Sequence, residues 1–225
     1  MKINKQMTPT DILGNIKLYN ADCMEVMKTF KDKQFSLAII DPPYGIGANK
    51  MTLGNGKRKI FRGSDDWDAE SPTPEYFNEL LRVSKNQIIW GANHFISKMP
   101  IDSKCWIFWD KGTGNNDFAD GELAWTSFGS TVRKFFKSWV GANAKEKTDI
   151  DRIHPTQKPV QLYKWLLQNY AKEGDTILDT HFGSLSIGIA CHDMKFDLTA
   201  IELDKDYYEQ AKQRLIYHQR QLTLF

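Results

Sequence analysis

The sequence is poor in the features that would mark several protein classes. Cysteine occurs at three isolated positions, Cys23, Cys105 and Cys191, with no CxxC pair and no His/Cys spacing that suits zinc. Neither a disulfide framework nor a metal site is therefore expected. No apolar run approaches the roughly 18 to 20 residues of a membrane span, and nothing at the N-terminus resembles a signal peptide. These absences lead to the expectation of a soluble, reduced, cytoplasmic protein. Charge of one sign is not in excess either: Lys plus Arg number 30 against 28 for Asp plus Glu. Any argument for a polyanionic partner must then rest on local clusters. Internal repeats, low-complexity segments and a G-x-G-x-x-G fingerprint are all missing from the chain.

What is present alternates. The runs 35–41 (FSLAIID), 86–90 (NQIIW), 105–109 (CWIFW), 175–179 (DTILD) and 196–202 (FDLTAIE) are short, apolar and bounded by polar residues, as buried parallel strands are. Helical patterns lie between them. Residues 21–30 follow Asn20 as a candidate cap, 73–83 and 159–171 open on prolines, and 205–222 places Tyr208, Ala211, Leu215 and Leu222 on one face. Within 225 residues this predicts a single α/β domain over 1–225, built on a doubly wound, mostly parallel sheet.

Two stretches interrupt the alternation. Residues 45–64 carry five basic side chains (Lys50, Lys57, Arg58, Lys59, Arg62), five glycines and no acid, the composition of a basic loop. Residues 111–153 are polar and dotted with glycine, and set Arg133, Lys134 and Lys137 among Phe135, Phe136 and Trp139. Basic residues interleaved with aromatics suit phosphates and unstacked bases. Taken alone, either cluster is better explained as a solvated loop or an edge strand.

The strand ends discriminate further. Ligands of open α/β sheets sit beyond the carboxyl ends of the strands, and three predicted strands end in acids: Asp41, Asp179 and Glu202. After Asp179, Gly183 and Ser184 form a tight strand-to-helix turn that lets a ligand approach the backbone. Glu202, at the next strand end, is placed to hold ribose hydroxyls as the acid of a dinucleotide site does. Without the full glycine fingerprint, a nucleoside ligand lacking phosphates fits better than a dinucleotide.

The order NADCMEVM (20–27), IIDPPYG (39–45), HPTQKP (154–159), ILDTHFGS (177–184) and AIELDKDYYEQAKQRL (200–215) resembles the DNA amino-methyltransferases of the beta class, which methylate adenine N6 or cytosine N4. The resemblance covers nearly the whole chain and implies a Rossmann-like domain that uses S-adenosylmethionine. It places Asp22, Asp179, Gly183, Ser184, Glu202, Thr156 and Lys158 in the cofactor pocket. Asp22 would meet the adenine amine, Glu202 the ribose, and Thr156 and Lys158 the methionine carboxylate. Asp41 borders the same pocket, as does His181, a loop residue, while His154 is assigned a capping role ahead of its helix. Where the family pattern has a second glycine this chain has Leu185, whose Cβ is expected to crowd the backbone beside the cofactor.

Asp41-Pro42-Pro43-Tyr44 is then the catalytic motif. The exocyclic amine of adenine is a poor nucleophile because its lone pair is delocalised into the ring. Two acceptors on its two N–H bonds would turn the lone pair toward the methyl group. Asp41 supplies a carboxylate, and Pro42 a carbonyl on a backbone with fixed φ and no competing N–H. Tyr44 offers a ring for an extruded base, an interaction of about 1 to 3 kcal/mol, because a base in a duplex must be flipped out to reach such a pocket. Asp rather than Ser at the head of the motif favours adenine N6 by resemblance. Cytosine N4 methylation, methylation of an RNA or protein amide nitrogen, and a DNA-binding pseudoenzyme are the alternatives. The implied partner is DNA, contacted from inserts at 45–64 and 111–150. A homodimer is left open, and no membrane partner is expected.

Overall fold

The computed structural model describes residues 6–47, 68–99, 101–113, 119–139 and 153–221. Lys50, Lys57, Arg58, Lys59, Arg62 and Leu222 lie outside these, as do most of the 45–64 insert and residues 114–118 and 140–150 of the other. The strands are β1 (Asp11–Leu13), β2 (Ile16–Asn20), β3 (Phe35–Ile40), β4 (Ser84–Trp90), β5 (Trp106–Asp110), β6 (Gly121–Thr126), β7 (Arg133–Phe136), β8 (Thr176–Asp179) and β9 (Asp197–Glu202). Among the described residues they form one sheet in the order β1-β2-β9-β8-β3-β4-β6-β5-β7. Strands β2, β9, β8, β3 and β4 run parallel through its middle. β1 is antiparallel to β2, and β6 is antiparallel to both β4 and β5.

Alternation along each strand sends side chains to two faces. On β3, Leu37 and Ile39 join one core cluster while Ala38 and Ile40 join the other. The first face is covered by α3 (Val160–Tyr170), α4 (Ser186–Met194) and α5 (Lys205–Arg220), through residues such as Leu166, Ile189 and Leu215. The second is covered by α1 (Cys23–Met27) and α2 (Pro74–Val83), through Met27, Phe77 and Leu80. Helices on both faces of a mostly parallel sheet make the doubly wound arrangement.

Local details depart from the sequence expectations in three places. Helix α1 is capped by Asp22, whose carboxylate accepts from the amides of Met24 and Glu25, and not by Asn20, which ends β2. Strand β5 is not flanked by parallel strands on both sides. It pairs antiparallel with β6 and parallel with β7, and its residues alternate in burial. The stretch 111–153 is not solely an insert, because β6 lies inside the sheet with Ala124, Trp125 and Thr126 fully buried. Its polar first half conceals a strand whose apolar residues come late.

Strand β7 occupies the sheet edge, as the plainer reading of its sequence holds, with Arg133, Lys134 and Phe136 exposed. Of the aromatics around this cluster, Trp139 is buried and donates its indole N–H to the Gln157 carbonyl. Phe135 packs on Trp165. That leaves Phe136 as the exposed ring of the three.

Candidate active site

The chain leaves β3 toward β4 on one side, while β8 passes through α4 to β9 on the other. The carboxyl ends of β8 and β3 therefore form the switch point at which an open α/β sheet has its crevice. A cavity of about 510 Å³ opens there, walled by Asp22, Asp41 to Tyr44, Thr156 to Lys158, His181 to Ser184 and Glu202 to Asp204, among others. The volume lies within the range of small-molecule and cofactor sites. Topology thus gathers the motif at 41–44, the loop after β8 and the acid ending β9 into one place.

At the β9 end, the Glu202 carboxylate accepts from the backbone amides of Gly183, at 2.9 Å, and Asp204, at 3.0 Å. Burial raises its pKa to about 7 against these hydrogen bonds. Gly183 holds φ at 47°, a left-handed conformation in which glycine avoids backbone strain, while a Cβ there would make only ordinary contact with the His154 ring, at 3.5 Å. His154 packs on Tyr207. Its Nδ1 accepts from the Thr156 amide and meets the Thr156 hydroxyl, so it closes the 154–157 turn and does not cap α3 directly. Asp179 is buried behind the loop and accepts from the His181 amide. Burial holds the Asp179 carboxyl well above the carboxylate range, and brings His181 down to about 4, leaving that imidazole neutral.

Leu185 does not crowd the cavity. It adopts a left-handed conformation, φ 56° and ψ 32°, immediately before α4, a geometry that costs a non-glycine residue energy. The turn sends its side chain into the core, where it is 1 % exposed and abuts Gly188. A Cβ on Gly188 would come 2.6 Å from Leu185 Cγ, so the glycine missing from the loop is matched by one a turn into the helix.

At the β3 end, the Lys158 Nζ lies 2.5 Å from Asp41 Oδ2, 2.9 Å from Glu122 Oε2 and 3.2 Å from the Tyr44 hydroxyl. Tyr44 in turn donates to Asp41 Oδ1 at 2.8 Å, and Lys111 holds the other Glu122 oxygen at 2.5 Å. The Lys158 side chain is 2 % exposed. Burial works against its charge, but the two carboxylates outweigh that and the pKa is raised. Burial also lifts the Asp41 carboxyl above its ordinary value, opposed by the ammonium. Glu122 goes the other way, to about 2, because two lysines overcome its desolvation.

The motif backbone is clamped by Asp68, whose carboxylate accepts from the amides of Tyr44 and Gly45. The Tyr44 ring stacks on His94 with centroids 5.1 Å apart. Gly91, with φ 69°, abuts that ring so closely that a Cβ would collide with it. The turn that follows β4, over Ala92–His94, thus supports Tyr44 from behind. Sequence reasoning missed Asp68, His94, Lys111 and Glu122, since none belongs to a motif.

Of the residues expected to contact a cofactor, Asp22, Asp41, Thr156, Lys158, His181, Gly183, Ser184 and Glu202 line the cavity, and Asp179 supports its loop from behind. Lys158, expected at a carboxylate of the ligand, is engaged by two carboxylates of the protein. Arg133, Lys134 and Lys137 are not among the lining residues. Lys134 pairs with Asp110, and Lys137 donates to Gln161. Among the described residues the walls carry Asp22, Asp41, Asp68, Glu202 and Asp204 against the single lysine Lys158. That balance disfavours phosphates and suits a ligand bearing hydroxyls, an amine and positive charge.

Residues 103–213 match the family model described as DNA methylase. The Type II methyltransferase M.HpaI of Haemophilus parainfluenzae is 24 % identical over 240 residues, covering 88 % of this chain and 74 % of that one. The crystal structure of the M1.HpyAVI–SAM complex superposes with a TM-score of 0.56 at 21 % identity, over 89 % of this chain and 98 % of that one. The cytosine-N4-specific PvuII DNA methyltransferase superposes with a TM-score of 0.61 at 12 % identity, over 94 % and 90 % of the two chains. At such identities the superpositions establish the fold. Among the described residues no helix is long and apolar enough to cross a membrane.

Proposed function

We propose that the chain is a DNA amino-methyltransferase of the N6/N4 family, dependent on S-adenosylmethionine, as the matched family model and the Type II relatives support, and that its target is the exocyclic N6 amine of adenine, presented by base flipping. The observation that carries this reading is the Asp41 carboxylate at the cavity edge, followed by a proline and braced by Lys158 and Tyr44. A carboxylate there, where a cytosine enzyme of this family would be expected to carry serine, supports adenine. A role within restriction–modification fits the Type II names of the relatives. No finding supports a homodimer, and none is proposed.

S-adenosylmethionine, when bound, supplies an electrophilic methyl group on a sulfonium. The cavity fits it on the chemistry of its walls: carboxylates that suit hydroxyls, an amine and a cation, and a glycine backbone that permits close approach. Glu202 would hold the ribose hydroxyls and Asp22 the adenine amine, both of them lining the cavity. The 154–157 turn bounds the far side of the cavity. Lys158, held by Asp41 and Glu122, supports the catalytic carboxylate and contributes positive potential to a ligand carboxylate without having to leave its partners.

Asp41 and the Pro42 carbonyl accept the two N–H bonds of the target amine and orient its lone pair. Tyr44, backed by His94, gives the extruded base an aromatic surface. Catalysis is then orientation and electrostatics, with no covalent intermediate on the protein. The proton of the alkylated nitrogen is acidic enough to leave to Asp41 or to water. Because Leu185 points into the core, nothing in the loop argues for a pseudoenzyme. DNA would be held by the basic residues at 50–62 and by Arg133, Lys134 and Lys137.

The test is methyl transfer from labelled S-adenosylmethionine to duplex DNA, RNA and protein in parallel, with nucleosides separated after digestion. N6-methyladenine in DNA is the expected product. N4-methylcytosine would overturn the adenine assignment, and label confined to RNA or protein would overturn the DNA substrate.

A further inference from the structure

Glu122 belongs to no motif, yet it sits at the centre of the charge arrangement beside Asp41. It is the second residue of β6 and lies opposite Trp109 on β5. Its two oxygens reach different lysines: Oε1 meets Lys111 at 2.5 Å and Oε2 meets Lys158 at 2.9 Å. An ammonium has three N–H donors. Around Lys158 there are three acceptors, namely Asp41 Oδ2, Glu122 Oε2 and the Tyr44 hydroxyl oxygen, so the donors and acceptors match one for one. Such a tripod fixes the ammonium in space, whereas an ammonium facing one carboxylate can swing about it.

We propose that Glu122 is a positioning residue for methyl transfer that acts through Lys158, taking one of the three ammonium donors so that Asp41 keeps acceptor capacity for the substrate amine. The inference rests on the reading of Asp41 as the acceptor of that amine. Without Glu122 the ammonium would turn fully onto Asp41 and compete with the amine for the same lone pairs. Lys111 secures the far oxygen of Glu122, which keeps the near one aimed at Lys158. The groups facing Asp41 and Glu122 are Lys158 and Tyr163 from α3 and the turn before it, Tyr44 from the motif, Lys111 following β5, and Asp179 from β8. Removing the Glu122 charge withdraws a negative neighbour from Asp41 and leaves Lys158 to it alone. Both changes favour the ionised carboxylate.

The deciding variants are E122Q, which keeps shape and loses charge, and E122D, which keeps charge and shortens reach. In E122Q, kcat for DNA methylation falls on the order of tenfold to a hundredfold while the Kd for S-adenosylmethionine is unchanged. The acid limb of the kcat pH profile moves to lower pH, and E122D restores part of both effects. Carbon-13 NMR of the carboxyl groups in the ligand-free protein, with Asp41 identified by the resonance that disappears in D41N, shows the same downward movement of the Asp41 titration. A uniform loss of activity with an unmoved acid limb, or an Asp41 titration indifferent to E122Q, overturns the proposal. If the wild-type protein transfers no methyl to DNA, the functional reading fails by itself, and the NMR titration still decides whether Glu122 governs Asp41.

Discussion

The ammonium of Lys158 lies 2.5 Å from the carboxylate of Asp41, although 117 residues separate them along the chain. A motif that reads as an isolated strand tip is therefore half of a buried ion pair, and the consequences of mutating either residue differ. Removing one member of such a pair leaves an uncompensated charge, at a cost of about 3 to 5 kcal/mol. Lys158→Met should accordingly unfold at markedly lower denaturant, with Asp41 and Glu122 left facing each other. Asp41→Asn preserves shape, and Glu122 still holds the lysine. It should retain most stability while methyl transfer falls by about 10²-fold or more. Activity of Asp41→Asn within about tenfold of wild type, roughly 1.4 kcal/mol, would remove Asp41 from the chemistry.

Tyr44 contributes a ring and a hydroxyl, and the hydroxyl donates to Asp41. Tyr44→Phe should lower kcat by about tenfold to a hundredfold, the worth of a hydrogen bond to a charged group, about 1.5 to 3 kcal/mol. Tyr44→Ala should lose more, since the surface backed by His94 goes as well. Equal losses in the two variants would deny the ring a role in holding the base.

Cofactor affinity should depend on pH through Glu202. Its pKa in the folded, ligand-free protein is raised to about 7, chiefly by burial, so the carboxylate needed by ribose hydroxyls is largely protonated at pH 6 and ionised at pH 8. Calorimetry should find S-adenosylmethionine bound about tenfold more tightly at pH 8 than at pH 6, and Glu202→Gln should flatten that dependence. The sign for stability is opposite. A carboxyl raised on folding destabilises the native state as pH climbs from about 4.5 to 7, because the unfolded chain ionises first. An affinity unchanged across this range would displace Glu202 from the ribose.

Leu185→Gly sets backbone against packing. Glycine would relieve the left-handed φ, worth about 1 kcal/mol, but would empty a buried leucine site, which costs about 2 to 5 kcal/mol. Net destabilisation with unchanged cofactor affinity is expected in chemical denaturation and calorimetry. Tighter cofactor binding would mean that the side chain obstructs the cavity after all.

The basic clusters should reveal themselves through salt. Replacing Lys57, Arg58 and Lys59 together with alanine is expected to weaken DNA binding regardless of sequence. The slope of log affinity against log salt should flatten by about 0.9 for each phosphate that the variant no longer neutralises. S-adenosylmethionine affinity should not move. An unaltered slope would shift the DNA face to Arg133, Lys134 and Lys137, where a matching triple variant repeats the measurement.

Much of this protein is decided by its sequence alone. The apolar runs ending in Asp41, Asp179 and Glu202 are strands because short β-branched and aromatic runs between polar breaks bury best in a parallel sheet. Their acids meet because such sheets put strand ends at one edge. Gly183 at the turn after β8 was legible for the same local reason, since a tight turn beside a ligand wants a residue without Cβ. Tertiary structure decided what has no local signal. Glu122 reaches Lys158 only through the register of β6 between β4 and β5, and β6 itself was hidden because its first residues are polar. Asp68 meets Tyr44 across 24 residues, a pairing no periodicity encodes. The direction of Leu185 followed from one backbone angle, which turned a side chain expected in the cavity into part of the core. Local sequence fixes which residues stand at a strand end or a turn; which charges face one another there depends on strand order and register, properties of the whole sheet.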